Sequence, residues 1–368
     1  MTKNPLARLA ELGQSPWYDF ITRDLIVSGK LAALIREDSL QGMTSNPTIF
    51  EKAIGGSDLY DADIRRLSAA GRTPQEIFEA IAVADVRSAC DVFRGTYDAS
   101  GGVHGLVSLE VSPTLANDTR GTISEAHRLW RAVDRPNVMI KIPGTGEGLE
   151  AISSCLADGL NINVTLLFSL DRYAEVIEAC FAGMERRAAQ GLPVDRVRSV
   201  ASFFVSRVDG KVDALLDRDG DPKKLRGTAA IANACMAYAL FEKRFAGSRW
   251  DALKGKGAQA QRPLWASTST KDKRYPDVYY VEALIAAQTV NTFPPATLDA
   301  YRDHGNPAIR IYDGIAKAPA QLAALADAGI DLAAITKELE IEGVASFAAS
   351  YNSLLSGIES KTSALAGA

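Results

Sequence analysis

The sequence predicts an α/β fold with a parallel sheet, and three observations predict it. Short runs rich in Val, Ile and Leu recur along the chain. Longer amphipathic stretches, apolar at three- and four-residue spacing, separate many of them. Neither a GxGxxG nor a Walker A pattern follows any run, which weakens a nucleotide-binding sheet. Near-continuous apolar runs suit strands buried on both faces, and parallel strands need helical crossovers.

In chain order, an opening helix precedes a short strand ending at Asp19 in SPWYDF. A second strand ends around Gly42 to Asn46 and turns at Pro47. Residues 58 to 96 read as strongly helical. Strand candidates then follow at VHGLVSLEVS (103–112), NVMIKIPG (137–144), LNINVTLLFS (160–169), RVRSVASFFVS (196–206) and RPLWASTS (262–269). Helical segments follow several of them, at 123–133, 147–158, 171–189 and 228–245. A further apolar segment, 278–292, leads into TVNTFPPATL (289–298). That makes seven or eight strands. Eight βα units would close a barrel, though the count alone does not separate a barrel from an open doubly wound sheet. Residues 217–262 read as a helical insertion and 313–368 as an Ala-rich helical appendage, so 1–368 is expected to be one domain.

Composition narrows the function. The chain has 368 residues, 47% of them hydrophobic and 23% charged, with net charge -4. It offers no basic field for a nucleic-acid partner. A small phosphorylated substrate would need only a few local cations. The four cysteines (Cys90, Cys155, Cys180, Cys235) form no CxxC pair and read as reduced, mostly buried thiols. The three histidines (His104, His127, His304) lack ligand spacing, so no metal is expected. MTKNPLARLAELGQSPWYDF has neither the apolar core nor the cleavage site of a secretory signal, and no stretch has transmembrane length. A cytoplasmic protein without a membrane partner is expected. A homo-oligomer is compatible with the sequence, which does not set its order.

The informative residues are polar groups at the C-terminal ends of apolar runs, where a barrel forms its active site. Lys141 interrupts VMIKIPG. A lysine with apolar neighbours on both sides is either an edge residue reaching to water or a buried amine, whose pKa burial would lower towards the nucleophilic form. Glu110 could cap a helix or, beside Lys141, shuttle protons. Thr165 could hold a water or simply be a β-branched strand residue. Asn46 and Asn163 suit a polyhydroxylated ligand, although Asn46 before Pro47 also suits a local Asx turn. Arg207 and Ser202 could bind a phosphate, or Arg207 could pair with Asp209. Lys271 lies in a basic loop with Lys273 and Arg274.

TSNPTIF, SLEVSP, MIKIPGT, INVTLLFS, SFFVSR and TVNTFPPAT, in this order and spacing, resemble the transaldolases from about Pro5 to at least Leu298. The resemblance implies a (β/α)₈ TIM barrel, with a strand order circularly permuted relative to ordinary aldolases and extra helices at both termini. It implies transfer of a dihydroxyacetone unit between sugar phosphates, with no cofactor because an imine serves as electron sink. It makes Lys141 the Schiff-base lysine, with Glu110 and Thr165 positioning the catalytic water. Asp19 becomes the base for the C4 hydroxyl. Asn46 and Asn163 would hold the three-carbon unit, while Ser202 and Arg207 bind phosphate and Phe204 lines their site. One departure stands out. Several family members carry an arginine after the Ala-Ser of the seventh strand, whereas here the stretch is WASTSTKD and the nearest cation is Lys271. Lysine would serve as a point charge without the bidentate fork. The 217–262 stretch is longer than in compact members, and the much shorter fructose 6-phosphate aldolases are the rival enzymatic reading.

Overall fold

A computed structural model describes residues 4–221 and 223–366. Eight parallel strands follow one another in sequence order around a closed barrel. They are β1 (Gln14–Asp19), β2 (Gly42–Thr44), β3 (Leu106–Glu110), β4 (Val138–Pro143), β5 (Ile162–Leu167), β6 (Ser199–Phe204), β7 (Arg262–Ala266) and β8 (Thr289–Phe293). The pairing of β1 with β8, from Gln14 opposite Thr289 to Tyr18 opposite Phe293, closes the ring. That closure excludes the open sheet. It also supplies β8 from a stretch whose sequence reads only as a continuation of a longer apolar segment.

The middle strands form where apolar and β-branched residues predominate, whereas β1 (QSPWYD) and β2 (GMT) are more polar or shorter. Every position of β4 (VMIKIP) and of β5 (INVTLL) is buried, as strands between a filled interior and an outer helical layer must be. Trp17, with no exposed surface, lies beside Gly42 on the neighbouring strand. A Cβ at Gly42 would stand 2.4 Å from the Trp17 ring, so only glycine allows the indole this place.

The region 58–96 is helical as the sequence indicates, in more than one piece. It contains the helices Asp61–Ala69 and Pro74–Ala99 with a turn between them. Gly71 has φ +74, and Thr73 with Glu76 forms a capping box ahead of Pro74. Each signal restarts a helix rather than prolonging one.

Within 217–262 lie the helices Ala229–Arg244 and Ser248–Lys254. The first is buried on most of its surface, including Ala230, Ala234, Cys235, Tyr238 and Phe241. It packs so closely against the helix Ile311–Asp327 that a Cβ on Gly314 would stand 2.3 Å from the Cys235 thiol. It is therefore part of the outer layer of the barrel. All four cysteines are free and buried, and burial pushes the Cys180 thiol up to about 12.

The last helix, Leu332–Ala366, has 35 residues and passes close to the C-terminal mouth of the barrel. At Gly343 it runs close to β5, since a Cβ there would lie 2.9 Å from Leu166. Further along, Ser350 accepts a hydrogen bond from Thr48 at 2.8 Å. Lys361 donates to the carbonyls of Ile54 and Ser57 and pairs with Asp61 at 2.8 Å. These contacts tie it to the helix Pro47–Gly55 and the turn after it. Among the described residues, no single helix is long and apolar enough to cross a membrane.

Candidate active site

Side chains two positions apart on a strand share a face. Glu110 therefore points with Ser108, Lys141 with Met139, Thr165 with Asn163, and Phe204 with Ser202. Register sets Glu110 opposite Lys141 and Lys141 opposite Asn163. The outermost of these residues gather at the C-terminal mouth. There Lys141, Thr165 and Phe204 help enclose a cavity of about 140 Å³, lined among others by Asp19, Asn46, Arg207 and Lys271, while Glu110 is not among its lining residues.

Lys141 is 5% exposed, which rules out an edge lysine reaching into solvent. Its Nζ donates to the Ser45 carbonyl at 3.0 Å and lies 3.1 Å from the Glu110 carboxylate. The Phe347 ring sits over it, with Nζ 5.9 Å from the ring centroid. The Glu110 side chain is itself buried, and burial raises its pKa against the lowering effect of Lys141. A carboxyl shifted this way can both take up and return a proton. Beyond the ion pair, no described group donates a hydrogen bond to Glu110, and Thr165 Oγ1 is likewise buried without a partner. Buried oxygens of this kind are costly unless something outside the chain satisfies them.

Asp19 stands across the cavity. It accepts a hydrogen bond from Thr44 Oγ1 at 2.6 Å, and Thr44 in turn lies 2.8 Å from Thr292 Oγ1. Burial raises the Asp19 pKa, while Thr44 and Lys141 act in the opposite direction. Thr44 and Thr292 thus orient an acid whose proton affinity is elevated.

Asn46 does two things at once. Its side-chain oxygen caps the helix Pro47–Gly55 by accepting from Ile49 N at 3.0 Å, as an Asn before Pro suggests, and the residue also lines the cavity. Asn163 is different. It is wholly buried below the cavity and is not among its lining residues. Its amide donates to Ser108 Oγ at 3.0 Å, and its oxygen accepts from Ser202 Oγ at 2.7 Å. In this structure Asn163 holds Ser202, which does line the cavity.

The cationic end is equally informative. Arg207 makes no ion pair or hydrogen bond among the described residues. Asp209, its sequence-based alternative partner, instead accepts from Ala230 N and the Tyr280 hydroxyl. The Arg207 guanidinium lies 5.4 Å from the Phe204 ring centroid, and burial pulls its pKa down. Lys271 lines the same cavity and donates to Ser269 Oγ at 2.9 Å. The neighbouring Arg274 is committed to Asp272 and Asp217. An unpaired guanidinium and an ammonium at one end of a small cavity suit a dianion.

Two residues at the mouth are held in the left-handed region, Leu166 at φ +62 and Ser267 at φ +57. Leu166 directly follows Thr165, where the β5–β6 register also shifts. Strain of this sort persists where surrounding structure imposes it, often at functional sites. Thr44, Ala266, Ser267, Ser269, Thr292, Pro294 and Phe347 are the cavity residues that sequence reasoning missed. Thr44 sits in the TSNPTIF run and could have been found there. Phe347 lies in an Ala-rich helix with no local signal.

Residues 16–358 match the Transaldolase/Fructose-6-phosphate aldolase family. The chain belongs to this family. A transaldolase of Parafrankia sp. is 52% identical over 96% of this chain and 97% of its own. One from Frankia alni is 52% identical over 96% of both chains. "Transaldolase 2" of Nostoc sp. is 46% identical over 99% of both. Membership places the fold and the buried lysine–glutamate pair in a family named for aldol chemistry on sugar phosphates. Among the described residues, no cluster of His, Cys, Asp or Glu is arranged to hold a metal ion.

Proposed function

We propose that the protein is a transaldolase that moves a dihydroxyacetone unit from sedoheptulose 7-phosphate or fructose 6-phosphate to glyceraldehyde 3-phosphate or erythrose 4-phosphate. The observation that carries this reading is the buried Lys141 amine, 3.1 Å from Glu110 and lining a cavity together with Arg207, which has no ion pair among the described residues. The distance across the cavity is taken up by the sugar chain: carbonyl at the lysine, phosphate at the arginine.

In this reading Lys141 gives its proton to Glu110, and Nζ attacks the C2 carbonyl of the ketose. The carbinolamine loses water with protons relayed by Glu110 and a water held at Thr165 Oγ1, leaving an iminium. Asp19 takes the proton of the C4 hydroxyl, the C3–C4 bond breaks, and its electron pair flows to the iminium nitrogen. An aldose phosphate departs. The remaining enamine attacks the aldehyde of the acceptor, Asp19 returns its proton, and hydrolysis frees the new ketose. Asn46 and Ser202 hold the hydroxyls of the three-carbon unit, with Asn163 fixing Ser202. Arg207 takes the phosphate, supported by Phe204 and Lys271. The chain's own amine supplies the electron sink.

Between the two activities in the family name, the final helix favours transfer. Phe347 lies over Lys141, and a covered enamine is shielded from premature protonation and release. The test supplies fructose 6-phosphate with erythrose 4-phosphate and measures both products. Sedoheptulose 7-phosphate in excess over free dihydroxyacetone supports transfer. Free dihydroxyacetone as the main product would make the protein an aldolase.

A further inference from the structure

The barrel has a second mouth, and its lining is chemically unusual for this chain. Ser15, Leu106, Val200 and Arg262 lie four positions before Asp19, Glu110, Phe204 and Ala266 on their strands. An even separation puts them on the same face, at the N-terminal end of the barrel. They line a cavity of about 660 Å³ with His104, Arg198, Lys254, Phe245 and Trp250 among the other walls. Among the described residues three cations line it and no carboxylate does, in a protein whose net charge is -4.

The two arginines differ in how they are used. Arg198, 6% exposed, spends its guanidinium on four backbone carbonyls, those of Gly101, Gly102, Asp195 and Val197. That is a structural staple. Among the described residues Arg262 makes two hydrogen bonds, to Ser15 Oγ at 2.8 Å and to the Val103 carbonyl at 3.2 Å. Of its five N–H groups, the remaining three have no acceptor among the described residues. Burial and the nearby Arg198 push the Arg262 pKa down to about 10, and burial together with Arg262 pushes His104 down to about 4. His104 is thus neutral near pH 7, and its Nδ1 lies 3.3 Å from the Ser15 hydroxyl that Arg262 also holds. A half-buried guanidinium beside a second one, with no described carboxylate paired to either, is costly unless an anion joins it.

We propose that this N-terminal cavity binds a small phosphate-bearing metabolite, with Arg262 as its principal ligand, Arg198 as a second charge and Lys254 at the rim. A guanidinium fork matches phosphate oxygens, and a dianion answers a site with three cations. Phe245 and Trp250 give the non-phosphate part of the ligand an apolar wall. The site is separate from the one at the C-terminal mouth, and Trp17 and the Ser108–Asn163–Ser202 layer lie between them.

Calorimetric titration of the full chain with pyrophosphate tests this. Because the active site also takes phosphate groups, the titration is run on Arg207→Gln as well as on the unmodified protein. Binding is expected to persist in Arg207→Gln and to weaken at least tenfold when Lys254→Glu or Arg262→Gln is added. Lys254 is exposed, so Lys254→Glu tests the charge without disturbing packing. On the unmodified background, neither variant should change the transfer rate more than about twofold. In the histidine proton spectrum, pyrophosphate should raise the His104 midpoint and leave His127 and His304 unmoved. Loss of all binding in Arg207→Gln would overturn the proposal, as would binding that Lys254→Glu and Arg262→Gln leave intact.

Discussion

At the scale of single residues, the site is read most clearly from polar groups that the protein leaves unsatisfied. Arg207 makes no ion pair or hydrogen bond among the described residues, only a ring contact with Phe204, and the buried Thr165 hydroxyl has no hydrogen-bond partner there either. A charged hydrogen bond of this type contributes roughly 1.5–3 kcal/mol, equivalent to about a tenfold to a hundredfold change in affinity. Arg207→Gln should therefore raise KM for fructose 6-phosphate by about that factor and change kcat much less, because the phosphate is held equally before and during reaction. Steady-state kinetics on the purified variant decides it, and an unchanged KM would remove Arg207 from the phosphate site. Lys141 is legible in the sequence because a lysine among Met, Ile and Ile contradicts its surroundings. The roles of Asn46 and Asn163 are less so, since an asparagine can cap, hold a neighbour or meet a ligand, and only the fold separates these. Asn163 turns inward to Ser108 and Ser202, which a strand sequence alone does not reveal.

Among the elements, the final helix changes the picture most. The sequence marks it as helical and Ala-rich, but its place over the mouth depends on contacts hundreds of residues away, such as Thr48 with Ser350 and Asp61 with Lys361. Gly343 permits the close approach to Leu166. Gly343→Val would force the two apart at an overpacking cost of about 1–3 kcal/mol. The expected result is more free dihydroxyacetone per transfer event, measured with erythrose 4-phosphate present, while circular dichroism shows an intact barrel. An unchanged product ratio would mean that the helix does not shield the intermediate. β3 to β7 were legible from their mainly apolar runs, while β1 and β2 showed only as short strand ends. β8 was blurred because the apolar segment before it (278–292) runs into it, and the break at Gly71 to Pro74 was hidden by helical periodicity on both sides.

For the whole molecule, stability should carry a signature of Asp209, which joins the helix bearing Arg207 to Ala230 and Tyr280. Burial raises its pKa from 3.8 to about 7. The folded state therefore holds this proton more tightly than the unfolded chain. As pH rises from about 4 to about 7 the unfolded chain is already ionised, so this group takes away stability progressively, and the full penalty is present above pH 7. Asp209→Asn abolishes the titration. Relative to the unmodified protein, it should gain stability between pH 5 and pH 8 in urea unfolding, and a difference that does not change with pH would refute the linkage. Barrel closure itself was only half legible, because seven or eight strands fit two architectures until the β1–β8 pairing is seen. What unites the scales is one buried amine at the end of β4. Borohydride reduction in the presence of fructose 6-phosphate, followed by intact-mass measurement and peptide mapping, tests it directly. The account predicts a single reduced three-carbon adduct on Lys141, absent from Lys141→Ala; an adduct on any other lysine, or one that survives in Lys141→Ala, would contradict it.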